Sequence, residues 1–259
     1  QETLKVPVID NWWQTETGGH IAGFVPVEVG TKSGSTALPL PGFDVRCLSA
    51  ATGEELPHGT LGSLAARLPL PPGTMQTLHR DEARFVEAYR SEFEGYHSLG
   101  DAGTIDDDGY ISVMARTDDV INVAGHRLST GLLEEVVASH PAVAECAVVG
   151  ARDPLKGQVP VGLVVLRDDA AEAGVLDPSD VITDVVGKVR AEVGAVAAFR
   201  QAAVVEGLPK TRSGKTLRGI IQSLADGTPY TLPGTIEDAA AVDKVKAALR
   251  TIDYPREAS

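Results

Sequence analysis

The spacing of apolar residues changes along the chain and divides it into two parts. In the first part, short apolar runs alternate with Gly and Pro turns, which is typical of small β-strands in a sandwich or barrel. The predicted strands are VPVID (6–10), DVRCLS (44–49) and GSLAARLPL (62–70). A helix is predicted over 81–96, where Phe85, Tyr89 and Phe93 recur at helical spacing. A hairpin is predicted over 103–116, because Asp-Gly lies between two alternating runs.

After Ser129, helical patterns alternate with continuous apolar runs. Continuous runs predict buried strands, and amphipathic spacing with end signals such as Pro141 and Gly194 predicts helices. The expected strands are 144–151, 159–166 and 199–206, and the expected helices are 130–141, 178–194, 215–227 and 236–250. The second part is therefore predicted to be a small α+β unit with helices packed on a short sheet.

Composition narrows the classes of partner. The 259 residues are 43% hydrophobic and 23% charged, as in ordinary globular proteins. The formal charge of −13 argues against nucleic acid, because a polyphosphate backbone requires clustered Lys and Arg, but small anions need only local cations. Cys47 and Cys146 follow no metal-ligand spacing and predict reduced thiols. With no apolar run near ~20 residues and no signal pattern, we expect no membrane partner and a cytoplasmic location, or the mitochondrial matrix in a eukaryote.

The stretch LPKTRSGKT (208–216) ends like a nucleotide-binding P-loop. A P-loop has Gly separated by four residues from its Gly-Lys pair, because only a bare backbone wraps a phosphate that closely. That position is Pro209, which has no N–H to donate. The P-loop is therefore excluded, and Lys215 requires another explanation.

Four stretches occur in a fixed order that is more specific than any one of them: DNWWQTETGG (10–19), YHSLGDAGTIDDDGY (96–110), ARTDDVINVAGHRLS (115–129) and LPKTRSGKTLRG (208–219). Together they resemble the acyl-CoA synthetases of the adenylate-forming (AMP-binding) superfamily, and most closely the acetyl- and propionyl-CoA synthetase branch. The resemblance runs from Val8 through Leu224 and, less specifically, to Arg250. It implies an α+β chain whose residues 1–117 are the β-rich end of the large AMP-binding domain, and whose residues 118–259 are a small mobile C-terminal domain.

The resemblance implies a ligase that acts in two half-reactions with ATP, Mg²⁺ and coenzyme A. A short-chain carboxylate attacks the α-phosphate of ATP to give acyl-AMP and pyrophosphate, and the CoA thiol then displaces AMP. Attack on a polyphosphate needs a cation at its oxygens. The resemblance gives that role to Lys215, carried on a loop that moves in and out of the site. The alternative is a solvated lysine in a Gly turn.

The resemblance also assigns residues of the WWQTETG stretch. It places Trp12 against adenine, Thr15 at the α-phosphate and Glu16 on magnesium, roles that suit an aromatic face, a hydroxyl and a hard oxygen. Trp13 would fill the acyl pocket and restrict the acid to about two to four carbons. Two core indoles are the alternative, and Gln14 receives no role.

Asp101 is implied as the acceptor for the ribose hydroxyls, with Arg116 beside it. An acidic turn residue in an ordinary hairpin is the alternative for Asp101. The sequence departs from the family here, because Leu99 stands where relatives carry Thr or Ser and Ala115 where they carry Gly. These changes put the fine geometry near the ribose in doubt.

The remaining assignments concern domain movement and CoA. The resemblance makes Asp118 the hinge, since Asp tolerates unusual backbone angles. Gly125 would let the pantetheine arm pass close to the backbone, and Arg127 would lie near phosphates. Arg190 would bind the CoA 3′-phosphate. The alternative for Arg190 is a solvent-exposed helix arginine that binds no ligand. His126 is interpreted as structural.

The family's upstream phosphate loop has no counterpart here, since GTKSGST (30–36) follows the Trp pair and lacks the required ending. The chain is therefore expected to be a fragment of a longer enzyme, or a truncated product, with weak or no turnover alone. The alternatives are a non-catalytic module that binds CoA or a partner protein, and an adenylating domain that serves a carrier-protein thiol. Propionate is favoured slightly over acetate. A lysine acetyltransferase or deacetylase acting on Lys215 is a further expected partner, because acetylation removes the charge.

Overall fold

The computed structural model describes residues 5–6, 9–23, 31–168 and 177–255. Pro7 and Val8 of the first predicted strand, and Gly30 of the GTKSGST stretch, lie outside these residues. The chain forms two compact units, Gln1–Thr117 and Asp118–Ser259, and both contain helices and strands. The predicted α+β class is confirmed. Within the described ranges, no helix is long and apolar enough to cross a bilayer.

The first unit contains two antiparallel sheets and one α-helix among its described residues. A three-stranded sheet has the order β1 (Asn11–Gln14), β2 (Gly19–Gly23) and β3 (Leu38–Pro39). A four-stranded sheet has the order β4 (Val45–Leu48), β5 (Gly62–Arg67), β6 (Tyr96–Ile105) and β7 (Ile111–Arg116). Helix α1 spans Glu82–Tyr89 and begins where the Asp81 side chain accepts a hydrogen bond from the Arg84 amide.

The predicted helix over 81–96 was too long. Helix α1 ends at Tyr89, and Arg90 has left helical geometry at φ −127°. Phe93 belongs to a separate buried group with Leu48 and Ala65, so its helical spacing from Tyr89 was coincidental. The predicted hairpin over 103–116 is confirmed as β6 and β7, and the Asp106 carboxylate accepts hydrogen bonds from two amides of its turn.

The second unit is built on one mixed sheet. Its strands are β8 (Val120–Val123), β9 (His126–Ser129), β10 (Val143–Asp153), β11 (Gly157–Leu166) and β12 (Gln201–Val204). The order is β10-β11-β8-β9, and β12 pairs in parallel with β11. The helices are α2 (Thr130–Ala138), α3 (Pro178–Glu192), α4 (Arg218–Asp226) and α5 (Ala240–Thr251).

Helices cover both faces of this sheet. Leu133 of α2 and Val185 of α3 belong to the core on one face, together with Val148 of β10. The core on the other face contains Ile221 of α4, Val245 of α5 and residues of β10 and β11 such as Val149 and Leu163. A strand buried on both sides has no polar face, which explains the continuous apolar runs in the sequence.

Candidate active site

Asp101 lies in β6 and is held by two donors from β1. The residue is 7% exposed. Oδ2 accepts hydrogen bonds from Trp12 Nε1 at 2.9 Å and from Gln14 Nε2 at 2.7 Å. Oδ1 lies 3.7 Å from Arg116 Nη1. The carboxylate is therefore fixed in one orientation, with a cation beside the oxygen that the two donors leave open.

Gly100 makes the approach of Arg116 sterically acceptable. Its φ of +64° lies in the left-handed region that favours glycine. A Cβ at this position would lie 2.7 Å from Arg116 Nη2. Any larger residue at position 100 would therefore displace the guanidinium from Asp101.

The two indoles face opposite sides of β1. Trp12 is 6% exposed and packs in a core that includes Ile21 and Leu99, whereas Trp13 is 58% exposed. The Leu99 side chain belongs to this core, and its carbonyl accepts a hydrogen bond from Gln14 Nε2. Leu99, which departs from the family pattern, therefore holds Gln14 through its backbone carbonyl and packs its side chain in the core.

Glu16 lies in a short 3-10 turn over Thr15–Thr17, beside the exposed Thr15. Its Oε1 accepts a hydrogen bond from the Tyr89 hydroxyl at 3.2 Å. Burial and the nearby Glu16 charge raise the pKa of Tyr89, so the hydroxyl remains a donor. In the described part of the chain, no group of three or more His, Cys, Asp or Glu side chains is arranged to hold a metal ion. Magnesium bound with ATP commonly uses one or two carboxylates plus phosphates and water, so Glu16 fits such a site.

His97 packs against Tyr89, the residue that donates to Glu16. It is fully buried, and its ring stacks on Tyr89 with centroids 5.1 Å apart and planes 3° apart. Neither ring nitrogen has a hydrogen-bond partner among the described residues. Burial and, secondarily, the Arg90 charge lower the pKa of His97 to about 4, although the Glu16 charge opposes the shift. The imidazole is therefore neutral near pH 7.

Lys215 lies in a short turn of the second unit. Thr211 N donates to Lys215 O at 2.9 Å, and Lys215 N donates to Thr211 Oγ1 at 3.1 Å. Gly214 adopts a φ of +83° between them. Lys215 is exposed, and its ammonium has no hydrogen bond or ion pair with any residue that the structure describes. The backbone is thus fixed while the charge remains available.

The turn between β8 and β9 was not predicted as a hairpin. Ala124 and Gly125 adopt φ values of +49° and +90°, and the Gly125 amide donates to Asn122 Oδ1 at 3.0 Å. The space where a Gly125 Cβ would lie is open to 4 Å. His126 and Arg127 follow on β9 with exposed side chains. The turn thus presents open backbone next to a cation.

Arg190 is exposed in the last turn of α3. Among the described residues, no hydrogen bond or ion pair joins Lys215 to Gly125, Arg127 or Arg190. Asp118 is the first residue of the second unit and is exposed. The structure therefore brings together Trp12, Asp101 and Arg116, but leaves the predicted residues of the second unit on separate elements.

Comparison with known proteins assigns the family. Residues 132–215 match the AMP-binding enzyme C-terminal domain, and Lys215 is the last residue matched. The chain is 42% identical over 254 residues to propionate–CoA ligase of Escherichia coli strain K12, covering 95% of this chain and 40% of that protein. It is 43% identical over 258 residues to human mitochondrial acyl-CoA synthetase short-chain family member 3, covering 96% of this chain and 36% of that protein. Residues 132–215 are thus an AMP-binding enzyme C-terminal domain, and nearly the whole chain is similar to part of short-chain acyl-CoA synthetases.

A solved structure supports the fold of this chain. ATP-bound MatB from Rhodopseudomonas palustris matches with a TM-score of 0.64 at 22% identity, covering 83% of this chain and 40% of that one. At this identity the likeness shows the fold alone. The chain spans 36% to 40% of the length of the two relatives described above.

Two residues that bind candidate site residues were missed in the sequence. Gln14 received no role, although strand alternation places positions 12 and 14 on the same face of β1, and both side chains bind Asp101. Tyr89 was interpreted only as part of a helical apolar pattern, and nothing in the sequence pairs it with Glu16. The predicted roles of all the site residues stay predictions: Trp12, Trp13, Thr15, Glu16, Asp101, Arg116, Asp118, Gly125, Arg127, Arg190 and Lys215.

Proposed function

We propose that the protein containing this chain is a short-chain acyl-CoA synthetase that joins propionate, and more slowly acetate, to CoA at the expense of ATP. A carboxylate oxygen attacks the α-phosphorus, the bond to the β-phosphate breaks, and pyrophosphate leaves. The CoA thiolate then attacks the acyl carbon of the adenylate, and AMP leaves. The similarity to propionate–CoA ligase of Escherichia coli supports this substrate class.

The Asp101 site is the observation that carries this proposal. Trp12 and Gln14 fix the carboxylate through Oδ2 and leave Oδ1, with Arg116 beside it, to accept a hydrogen bond from a ligand hydroxyl. A ribose supplies such a hydroxyl, which supports ATP as the activating substrate. Trp12 would act through Asp101 and by contact with adenine, and Thr15 would donate to the α-phosphate.

The cations are proposed to divide the charge of the triphosphate. Lys215 and Arg127 would bind phosphate oxygens, and Glu16 would hold Mg²⁺, which spreads charge over the phosphates when bound. Gly125 and Arg190 would bind the pantetheine arm and the 3′-phosphate of CoA. Asp118 would serve as the hinge that lets one small domain present first Lys215 and then the Gly125 turn.

The test uses the purified product of the gene that contains this chain. Acetate, propionate, butyrate and hexanoate are each supplied with ATP, Mg²⁺ and CoA, and pyrophosphate and thioester are measured. We expect propionate to give the highest kcat/KM and hexanoate a value at least about tenfold lower. Absence of carboxylate-dependent pyrophosphate release would favour a non-catalytic module. Pyrophosphate release without a CoA thioester would favour a carrier-protein thiol as the acceptor.

Trp13→Gly tests the pocket. The indole is 58% exposed on the face of β1 opposite Trp12, so its removal should open space without disturbing the core. We expect kcat/KM for hexanoate to rise by about tenfold or more, because each additional methylene gains contact in the enlarged pocket. The measurement is the chain-length profile of pyrophosphate release.

The matched control is Tyr230→Gly, which removes an aromatic ring that is 39% exposed in the second unit. Its chain-length profile should equal that of the parent protein. If Trp13→Gly also leaves the profile unchanged, Trp13 does not line the acyl pocket.

A further inference from the structure

An ion pair inside the second unit joins the helix after the Lys215 loop to the helix after the Gly125 turn. Arg218 is the first residue of α4, and Glu134 lies in α2. Arg218 Nε donates to Glu134 Oε1 at 3.0 Å, and Nη2 donates to Oε2 at 2.6 Å. The two side chains are 33% and 14% exposed. Two parallel bonds from a planar guanidinium fix orientation as well as distance.

Glu134 is also tied to the sheet. Its Oε1 accepts a hydrogen bond from the Val148 amide of β10 at 2.9 Å. One carboxylate thus links helix α2, the central part of β10 and the start of α4. The hydrogen bond to Glu134 raises the pKa of Arg218, so the guanidinium keeps its charge at every working pH.

Other attachments of the Lys215 loop, residues 208–217, hold mainly its first half. The Arg212 amide donates to Thr235 O at 2.9 Å, and the Glu237 amide donates to Lys210 O at 2.9 Å. Lys210 Nζ lies 2.6 Å from Glu145 Oε2 of β10. The Leu217 amide donates to Pro209 O at 2.8 Å and so closes the loop on itself. The side chain of Arg218 adds a link from the end of the loop to the sheet through Glu134.

We propose that Glu134 and Arg218 are positioning residues that set the place of Lys215 relative to the turn between β8 and β9. Because the pair joins the end of the Lys215 loop to α2 and β10, it would hold that loop and the β8–β9 turn in a fixed relation. Its catalytic consequence rests on the function proposed above. Its structural consequence rests on the contacts alone, and the two can be tested separately.

The structural test is amide hydrogen exchange on this chain. Arg218→Lys keeps the positive charge and one donor but loses the planar pair of bonds. We expect exchange at residues 211–217 to be about tenfold faster than in the parent protein, while exchange in β10 and β11 is unchanged. Equal rates in the loop would overturn the proposal. A uniform rise across the whole unit would also overturn it, because the pair would then serve general stability.

Glu134→Gln should give the same local increase, and Glu206→Gln is the matched control. Glu206 makes an ion pair with Lys244 at 2.7 Å, but its side chain is 78% exposed. The same loss of charge there should leave exchange in residues 211–217 at the parent rate. A comparable increase in Glu206→Gln would show that the effect comes from net charge and would contradict a positioning role for the Glu134–Arg218 pair.

The catalytic test measures the two half-reactions in the gene product. With Arg218→Lys we expect kcat for acyl-adenylate formation to fall by about tenfold while KM for ATP stays within about twofold, because Lys215 is displaced and no ATP contact is lost. A rise in KM without a fall in kcat would overturn the catalytic part. If the parent protein activates no carboxylate, the proposed function fails. The hydrogen-exchange rates of residues 211–217 still decide whether the Glu134–Arg218 pair positions the loop.

Discussion

Lys215→Ala is expected to lower acyl-adenylate formation by at least about 100-fold in the product of the gene that contains this chain, because a cation is lost where charge develops on the α-phosphate. Thioester formation from supplied acyl-adenylate and CoA should stay within about twofold of the parent rate, since the proposed second step uses the Gly125 face. The measurement compares carboxylate-dependent pyrophosphate release with thioester formation in one preparation.

Lys246→Ala is the control, because Lys246 is an exposed lysine of α5 in the same unit. It should leave both steps unchanged. Equal loss of both steps in Lys215→Ala would contradict the proposal that one unit presents different faces in turn.

The same comparison tests regulation, since we propose that acetylation of Lys215 silences the first step. A deacetylase that restores pyrophosphate release to acetylated protein would support this, and persistent loss would refute it.

His97 is expected to make the first unit sensitive to acid. Its pKa changes from an ordinary value near 6.5 in the unfolded chain to about 4 in the fold. Between these pH values the unfolded state takes up a proton that the folded state does not, so stability falls as pH decreases. At pH 4 and below the loss is about 3 kcal/mol, and above pH 6.5 His97 contributes none. The groups around the imidazole are Tyr89, Phe85, Arg90 and Glu16.

Urea unfolding at several pH values measures this effect. Trp12 and Trp13 are the two tryptophans of the sequence, and both lie in the first unit, so fluorescence reports that unit selectively. His97→Phe keeps an aromatic ring for Tyr89 and removes the titration. The variant should lose less stability than the parent between pH 7 and pH 4.5.

His79→Phe is the matched control, because His79 is exposed in the same unit. The control should follow the parent curve, since the same Asp and Glu carboxylates titrate in both proteins. Identical pH dependence in His97→Phe and the parent would show that His97 is not the acid-sensitive group.

The sequence predicted the fold where a local pattern decides it. Continuous apolar runs predicted β10 and β11, because helices on both faces leave no polar side. Helix α1 was extended too far, because Phe93 fits the helical spacing although tertiary packing places it beside Leu48 and Ala65. The β8–β9 hairpin was missed because its turn begins with Ala124, a residue that rarely adopts positive φ.

The candidate site was also predictable only in part, because some of its side chains bind partners that are distant in the sequence. Motif order predicted roles for Asp101, Arg116 and Lys215, each within a recognisable stretch, and the structure places Arg116 beside Asp101. Gln14 and Tyr89 act through partners 87 and 73 positions away, and such long-range hydrogen bonds leave no local pattern. The Glu134–Arg218 pair, with a separation of 84 positions, is a third example.

The double-sided sheet of the second unit also limits how this protein can change over evolution. Val148 and Val149 are neighbours in β10, yet they belong to separate cores on opposite faces. An exchange between similar apolar side chains disturbs one layer at a time. An insertion of one residue would reverse the facing of every later side chain in β10, so both layers would lose their partners together. We therefore expect descendants of this gene to vary the composition of β10 freely within apolar residues while keeping its length constant.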